Sequence, residues 1–545
     1  MKYSQAKKVN RYFLFKKLRA ILACLSLLAL CVALATFTQA ENLLPSMLRL
    51  PQVIFSLFTF FTPDISSLKY LGEIATSYFR SAVLAVSSTV FATCFALIAA
   101  LFSSNVSKRG FFLPIVLRTL ASAARNIPLP AQVILFLFSF GQNELTGFLV
   151  LFTLTFGSLT RIFCELIEST SHESFIALST CGTSYTVALI HGILPNIEGQ
   201  LLSWLLYAMA TNIRDSALVG ILTGSGIGFL FTLFFRSFRY QAAGLTIAVM
   251  LLTVLLFDFL ANKLRCFMMS KDGSPSSLKA RRLLSRFLFS FLLATAFISL
   301  FLIKIDVRNM PCMFISLASN IQAMFFSISV FQSLRSFSLF ASCAVSIALA
   351  TLATILSAFI SLFIAIPHTS HLFCTKPLRV LRGIMDAFLS FIRSIPTIIW
   401  VMLFSVSLGV GATATIIGIS LHSIAYLSYA FGMSFDEKAR QASQALLASG
   451  APRLLVFVKA LLPSSFKDIM SWTFFRFEIN FMNAVALGSA AGAGGIGYEL
   501  FIAGSMEFDI VRVGSITYLL LLVNLTLEAI SSHIKNETQT KIERA

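Results

Sequence analysis

Charge is scarce in this chain. Only 12% of its 545 residues are Asp, Glu, Lys or Arg, about half the share of a soluble protein. With 57% hydrophobic residues and a mean hydropathy of +0.86, that scarcity excludes an ordinary soluble domain. It also excludes disorder, which needs low hydrophobicity and high net charge. Acids are scarcer still, 23 against 42 basic residues, for a net charge of +19. A soluble protein with that excess would point to nucleic acid. In a membrane protein, cytoplasmic loops rich in Lys and Arg supply it, so no nucleic-acid partner is expected. The nine cysteines form no Cys-x-x-Cys pair, which argues against a disulfide framework or a zinc cluster. The six histidines show no paired ligand spacing, so no metal site is expected. No Gly-Lys dipeptide occurs, hence no P-loop. The chain should not hydrolyse ATP itself, should bind no cofactor, and should not be an enzyme.

What is present is apolar helix, in two copies. A spanning helix needs about 20 apolar residues, and the chain could hold roughly a dozen spans. Repeats come first in such a reading. Arg125-Asn126-Ile127-Pro128 returns as Arg393-Ser394-Ile395-Pro396, Gly182 and Pro195 as Gly450 and Pro463, Ser203-Trp204 as Ser471-Trp472, and Asn212 as Asn480. Every pair is 268 positions apart. The expected fold is an all-α integral membrane protein, a tandem repeat of two six-helix units. The expected divisions are 1–270, a cytoplasmic linker at 271–286 with a Gly-Ser-Pro-Ser-Ser core, and 287–545. Spans are placed near 20–38, 82–103, 127–141, 146–163, 200–222 and 242–261, and near 287–305, 338–365, 395–410, 412–430, 469–490 and 513–531. The Phe-rich stretch 46–63 carries Pro51 and Pro63. It reads as an interfacial or re-entrant segment without a twin of equal length.

Basic residues set the orientation. Seven precede the first span, and no acid accompanies them. Lys108, Arg109, Arg118 and Arg125 follow the second span, and Lys376, Arg379, Arg382 and Arg393 occupy the twin loop. Both termini are therefore expected in the cytoplasm. Thr38-Gln39-Ala40 resembles a cleavage site. The apolar run before it is long for a signal peptide and has a counterpart at 287–305, so it reads as a retained span. The acidic loop with Glu165, Glu168, Glu173 and Glu198 falls inside by span parity.

Three groups of residues carry functional expectations. The first is in the loops between the fourth and fifth spans. Ala177, Leu178 and Gly182 precede Leu194-Pro195, and Ala445, Leu446 and Gly450 precede Leu462-Pro463. Glycine is the favoured residue just past a helix C-terminus, so each loop reads as a short helix, a glycine stop and a second helix. Such a segment can fill a groove in a partner. The second group is the charge inside the fifth spans: Arg214 and Asp215 in one half, Arg476 and Glu478 in the other. An ionisable group in a span faces a cavity or a partner. Arg476 and Glu478 do not share a helical face and so need other partners, which favours contacts across the halves. With Asn212 and Asn480 they are candidates for a polar pathway; self-neutralising pairs that fix packing are the alternative. The third group is Gly224, Gly226 and Gly228 with Gly494, Gly495 and Gly497, placed at the outer end of the fifth span as hinge or gate residues, or as packing glycines.

The two loops resemble the coupling loop of ABC importer permeases, in which E-A-A-x-x-x-G is followed by I-x-L-P. Ile176 and Gln444 stand at the Glu position, and Gly192 and Ala460 at the Ile position. The run Arg476-Phe477-Glu478-Ile479-Asn480 and the later Gly492-Ala493-Gly494-Gly495-Ile496-Gly497-Tyr498-Glu499-Leu500 are similar to the phosphonate-type permeases. The first half carries a more diverged Gly224-Ser225-Gly226-Ile227-Gly228, with one residue fewer between Gly220 and Gly228 than between Gly488 and Gly497. The resemblance implies a permease with two domains fused in one chain, in the inner membrane of a prokaryote. It implies an ABC ATPase dimer inside that uses ATP and Mg, a substrate-binding protein outside, and lipid around. The implied cargo is phosphonate, phosphite or phosphate. Permeases for ferric ion, methionine or another amino acid, and a secondary transporter built from parallel repeats, are the other readings.

Overall fold

The computed structural model describes residues 65–104, 112–169, 173–268, 275–302, 308–369, 376–492 and 494–542, with scattered positions between 29 and 62. The N-terminal basic stretch and most of the expected first span lie outside the described residues. Among the described residues every regular element is a helix. The first half contains α1 (Leu71–Ser103), α2 (Phe112–Asn126), α3 (Leu129–Phe140), α4 (Glu144–Ser169), α5 (Glu173–Thr180), α6 (Tyr185–Gly192), α7 (Leu194–Thr223), α8 (Gly226–Arg236) and α9 (Tyr240–Met268). The second contains α10 (Pro275–Leu302), α11 (Met310–Ile321), α12 (Ile328–Ser333), α13 (Phe337–Ala365), α14 (Lys376–Ser394), α15 (Thr397–Leu408) and α16 (Ala412–Ala442). It ends with α17 (Gln444–Ala448), α18 (Arg453–Val456), α19 (Leu462–Ala491), α20 (Gly495–Phe501) and α21 (Ile510–Ile542).

Among the described residues six helices are long and apolar enough to cross a membrane, or up to nine if each bent pair is one span; most of the first expected span lies outside them. Two of the expected spans are built from short, cornered helices. Helices α3 and α15 have 12 residues each, about 18 Å, too short for a hydrocarbon core of about 30 Å. Each meets an amphipathic basic helix at a corner, 100° between α2 and α3 and 90° between α14 and α15. The corner is the repeated Arg-x-Ile-Pro. Proline pushes the residue before it out of the helical region, and Pro128 and Pro396 are extended N-caps. A corner strips a carbonyl of its helical donor. Twin residues of different chemistry replace that donor: Gln132 Nε2 donates to Ala124 O at 2.7 Å, and Trp400 Nε1 to Ile392 O at 3.1 Å.

The glycine runs build a second repeated device. Helices α7 and α19 both end on left-handed glycines, Gly224 at φ 68° and Gly492 at φ 65°. The chain then folds back so tightly that a Cβ on Gly228 would lie 1.9 Å from Ala217 O, and one on Gly497 1.9 Å from Val485 O. Ser81 Oγ accepts from Ile227 N at 2.8 Å, and Ser346 Oγ from Ile496 N at 3.0 Å. The second half's extra residue therefore lies between Gly492 and Gly495. All six expected hinge glycines belong to these hairpins: a Cβ on Gly226, Gly228, Gly495 or Gly497 would strike its surroundings, while Gly224 and Gly494 have room for one and stand out by their positive φ.

The linker at 271–286 is partly helix, because α10 starts at Pro275, a residue preadapted to the first helical turn. Ala296 of α10 packs in one cluster with Val90 and Leu202 to Met209 of the first half, so the second half's first helix leans on the first half. Most of the stretch 46–63 lies outside the described residues; its residue Phe60 has a positional counterpart. Phe60 O lies where a Cβ on Gly244 would fall, and Met324 O where one on Gly514 would fall. The residues just after α11 thus stand in the corresponding place in the second half. One apolar cluster runs through both halves, from Phe60 and Ile134 to Met324 and Trp400.

Adding a methyl group to the hairpin tests this packing. Gly228→Ala and Gly497→Ala should each cost about 1–3 kcal/mol of overpacking and lower the thermal midpoint of the purified protein. Gly383→Ala, with nothing within 4 Å of its Cβ, should leave the midpoint unchanged or raised.

Candidate functional site: a cavity between the halves and two repeated turns

The two fifth spans, α7 and α19, face each other across a cavity of about 510 Å³, within the range of small-ligand sites. Twin positions line it from both sides: Tyr207 with Phe475, Thr211 with Ile479, Asp215 with Asn483 and Leu218 with Ala486. The cavity therefore sits on the axis that relates the halves. Its walls are mostly apolar, and two buried guanidiniums enter it, Arg214 and Arg476. Counted from the starts of α7 and α19, Arg214 is six positions further along than Arg476, about 9 Å in depth.

The two arginines are held differently. Arg214 Nη1 meets Asp258 Oδ2 of α9 at 3.3 Å, and its Nη2 lies 3.4 Å from Thr211 Oγ1. Its sequence neighbour Asp215 lines the cavity instead. Arg476 Nε donates to Ser423 Oγ at 2.9 Å, and Nη2 to His422 Nδ1 at 3.0 Å. A guanidinium only donates, so His422 Nδ1 accepts and its ring proton sits on Nε2. The Tyr426 ring lies 4.7 Å from Arg476 Cζ, a cation–π contact. Among the described residues no carboxylate lies within 4 Å of Arg476. Its charge is desolvated and oriented by neutral groups.

The other expected pathway residues lie elsewhere. Asn212 Nδ2 donates to Thr89 and Thr155 Oγ1, each at 2.7 Å. Asn480 Nδ2 donates to Thr354 Oγ1 at 2.9 Å, and its Oδ1 accepts from Ser423 at 2.8 Å. Thr155 and Ser423 are twins, so each asparagine ties its fifth span to the same two neighbours. Neither lines the cavity. Glu478 also lies outside it, with Glu528, Arg125 and Arg161 as its charged neighbours; Arg125 and Arg161 belong to the first half. Sequence reasoning missed Asp258, His422 as an arginine acceptor, and the tyrosines Tyr207, Tyr426 and Tyr429. No spacing connects them, since they meet only when α7, α9 and α16 pack.

The repeated turns match one another closely. Gly182 has φ +80° and Gly450 φ +79°. Gly182 N donates to Ser179 O at 3.1 Å and Gly450 N to Leu447 O at 3.0 Å; Thr183 N reaches Leu178 O at 3.4 Å and Ala451 N reaches Leu446 O at 3.1 Å. These paired bonds close a helix end around a left-handed glycine. Leu194-Pro195 and Leu462-Pro463 then open α7 and α19. Helix α5 buries none of its residues, and Ala177 is exposed. Ile176, Val187 and Ile190 in one turn, and Leu447, Leu454 and Leu455 in the other, hold exposed apolar side chains. Each turn is directly continuous with the helix that walls the cavity.

The family described as binding-protein-dependent transport system inner membrane component matches residues 92–265 and again 358–535. The chain belongs to this family. It is an ABC importer permease with two such domains in tandem. The phosphate-import permease protein PhnE of Mycolicibacterium smegmatis is 24% identical over 430 residues, 77% of each chain. The phosphite transport system permease protein PtxC of Stutzerimonas stutzeri is 28% identical over 33% of this chain and 66% of its own length. A putative cryptic phosphonate transport permease, PhnE2 of Escherichia coli, is 29% identical over 22% of this chain and 96% of its own.

The asparagine ties give a stability prediction for the permease. Asn480→Ala removes one partner each from the Thr354 and Ser423 hydroxyls, which keep Ala350 O and the Arg476 guanidinium, at a cost of about 1–3 kcal/mol. Asn212→Ala should cost a similar amount through Thr89 and Thr155. Thermal unfolding of the two variants should show comparable losses, and an unchanged midpoint in both would remove the structural role.

Proposed function

We propose that this permease carries a phosphonate-, phosphite- or phosphate-type oxyanion across the inner membrane of a prokaryote, with both termini cytoplasmic. The observation that carries the reading is the pair of buried guanidiniums, Arg214 and Arg476, on one cavity between the fifth spans. An anion entering an apolar cavity loses hydration, and a preoriented guanidinium restores it with charge-assisted hydrogen bonds suited to phosphoryl oxygens. The relatives' names point to the same chemical class.

The remaining parts follow from this reading. A substrate-binding protein delivers the cargo from outside. A separate ABC ATPase dimer, which uses ATP and Mg, grips the two turns that contain Ala177, Leu178, Gly182, Leu194 and Pro195 and Ala445, Leu446, Gly450, Leu462 and Pro463. This chain binds no cofactor and performs no chemistry. Because each turn runs straight into α7 or α19, bringing the two turns together moves the two cavity walls. The glycine hairpins at 224–228 and 492–497 close the outer ends of those walls and serve as the outer gate.

Reconstitution in proteoliposomes with the partner ATPase and binding protein tests the proposal. Methylphosphonate, phosphite or phosphate uptake should require ATP. Arg476→Gln should lower it about tenfold or more, the worth of one charge-assisted hydrogen bond, and Arg476→Lys should restore only part. Gly182→Ala and Gly450→Ala place a side chain in the left-handed region at about 1–2 kcal/mol each and should uncouple ATP hydrolysis from uptake. Uptake of an amino acid or ferric ion, with all three phosphorus oxyanions left outside, would overturn the substrate.

A further inference from the structure

On the coupling-turn side of the cavity the halves meet along two seams that the repeat makes equivalent. The first lies between α9, α14 and α16 and encloses about 630 Å³. The second lies between α2, α4 and α21 and encloses about 310 Å³. Twin serines mark them, Ser390 in the first and Ser122 in the second.

Their charges differ. In the second seam Arg125 and Arg161 of the first half each reach Glu528 of the second half at 2.5 Å. Asn126 Nδ2 donates to the same carboxylate at 3.3 Å. Glu165 engages Arg161, and Glu168 engages Arg118, each at 3.0 Å. This seam is neutralised and tied across the halves. In the first seam the twin of Arg125 is Arg393 and the twin of Arg161 is Tyr429. With Gly244 and Gly514 in register, Asp258 of α9 stands where Glu528 stands in the second seam, but it pairs with Arg214 of its own half and not across the halves. Its two aspartates are already engaged, Asp258 by Arg214 at 3.3 Å and Asp386 by His368 at 2.6 Å. Among the described residues no carboxylate lies within 4 Å of Arg393 or Arg265. Arg393 Cζ rests 5.7 Å from the Tyr426 ring. The first seam also shares Tyr207, Arg214, Tyr426 and Tyr429 with the central cavity; the second shares none of its lining with it.

Resting on the oxyanion reading above, we propose that the cargo leaves the cavity through the first seam alone. It passes from Arg476 and Arg214 to Arg393 and Arg265, while the second seam stays clasped by Glu528. Guanidiniums at successive positions let the anion exchange partners without returning to bare hydrocarbon. The clasp holds the opposite seam shut, so two equivalent interfaces become one exit and one pivot.

Charge-selective thiol labelling tests this without depending on the cargo. Ser390→Cys and Ser122→Cys are made in the full chain, with Cys266→Ser and Cys164→Ser removing the native thiols of the two seams. Each purified protein, in lipid nanodiscs, is treated with an anionic sulfonatoethyl and a cationic trimethylammonioethyl methanethiosulfonate. Rates are normalised to a free thiol and read at the introduced site by peptide mass spectrometry. The anion-to-cation ratio at S390C should exceed that at S122C about tenfold, the scale on which a charged cleft concentrates counter-ions, and Arg393→Gln should abolish the excess. Equal ratios, or faster anionic labelling at S122C, would overturn the exit. Methylphosphonate uptake by the unmodified complex reads the other question. Anion selectivity at S390C without uptake of any phosphorus oxyanion would keep the seam and discard the substrate. Intact uptake with indistinguishable thiols would keep the substrate and discard the seam.

Discussion

In the hydrocarbon core of a bilayer every backbone polar group needs a partner within the protein, and this constraint governs the permease wherever a helix is broken. Each half breaks its helices at the Arg-x-Ile-Pro corner and at the glycine hairpin. At the corner, Gln132 or Trp400 gives a donor to the freed carbonyl. At the hairpin, Ser81 or Ser346 accepts from the first free amide of the short outer helix. The breaks set the architecture. The corners lay basic amphipathic helices against short, buried ones, and the hairpins fix the outer ends of α7 and α19. What remains between those two helices is the cavity.

Much of this was legible in the sequence, for definable reasons. The repeat was visible because glycine, proline and buried asparagine occupy positions that tolerate few substitutes. Gly182 and Gly450 adopt the same left-handed geometry, and their identity survives while the residues around them drift. Asn212 and Asn480 persist because each bridges two hydroxyl partners, although their position in the fifth span suggested a pathway rather than packing. The corners were not legible. A 12-residue helix entered through a right-angled proline turn has the same hydropathy as the middle of a straight span. The contact of Phe60 with Gly244 and of Met324 with Gly514 was hidden too, because backbone atoms make it and no side-chain motif records it. Nor does composition announce His422 as the acceptor for Arg476, since the two meet across α16 and α19.

The two halves interlock in their packing. Helix α10 belongs to the second half by sequence and to the first by contact. Asn320, in α11, donates to Ser139 of α3 at 3.0 Å, and a Cβ on Gly504 would strike Ile134. Each half completes its core with pieces of the other. The two turns that carry exposed apolar faces therefore continue into helices, α7 and α19, that share one apolar cluster.

Fusion of the halves into one chain also frees them from having to match. In a dimer of identical domains, any residue placed at one wall of the axial cavity recurs at the other. Two copies of Arg476 would face the cavity at equal depth, and both seams would carry the same charges. Here the twin of Arg476 is Ala208, the twin of Arg214 is Met482, and the twin of Arg161 is Tyr429. The guanidiniums are therefore staggered by about 9 Å along the cavity, and of the twin carboxylates Asp258 and Glu528, only Glu528 pairs across the halves among the described residues. A strictly symmetric cavity can present an anion only with a ring of like charges at one level. A staggered, one-sided arrangement presents successive levels. The elements that must stay alike, the corners, hairpins, asparagine ties and coupling turns, are the ones that hold the helices in place. The elements that differ are the ones that would touch the cargo.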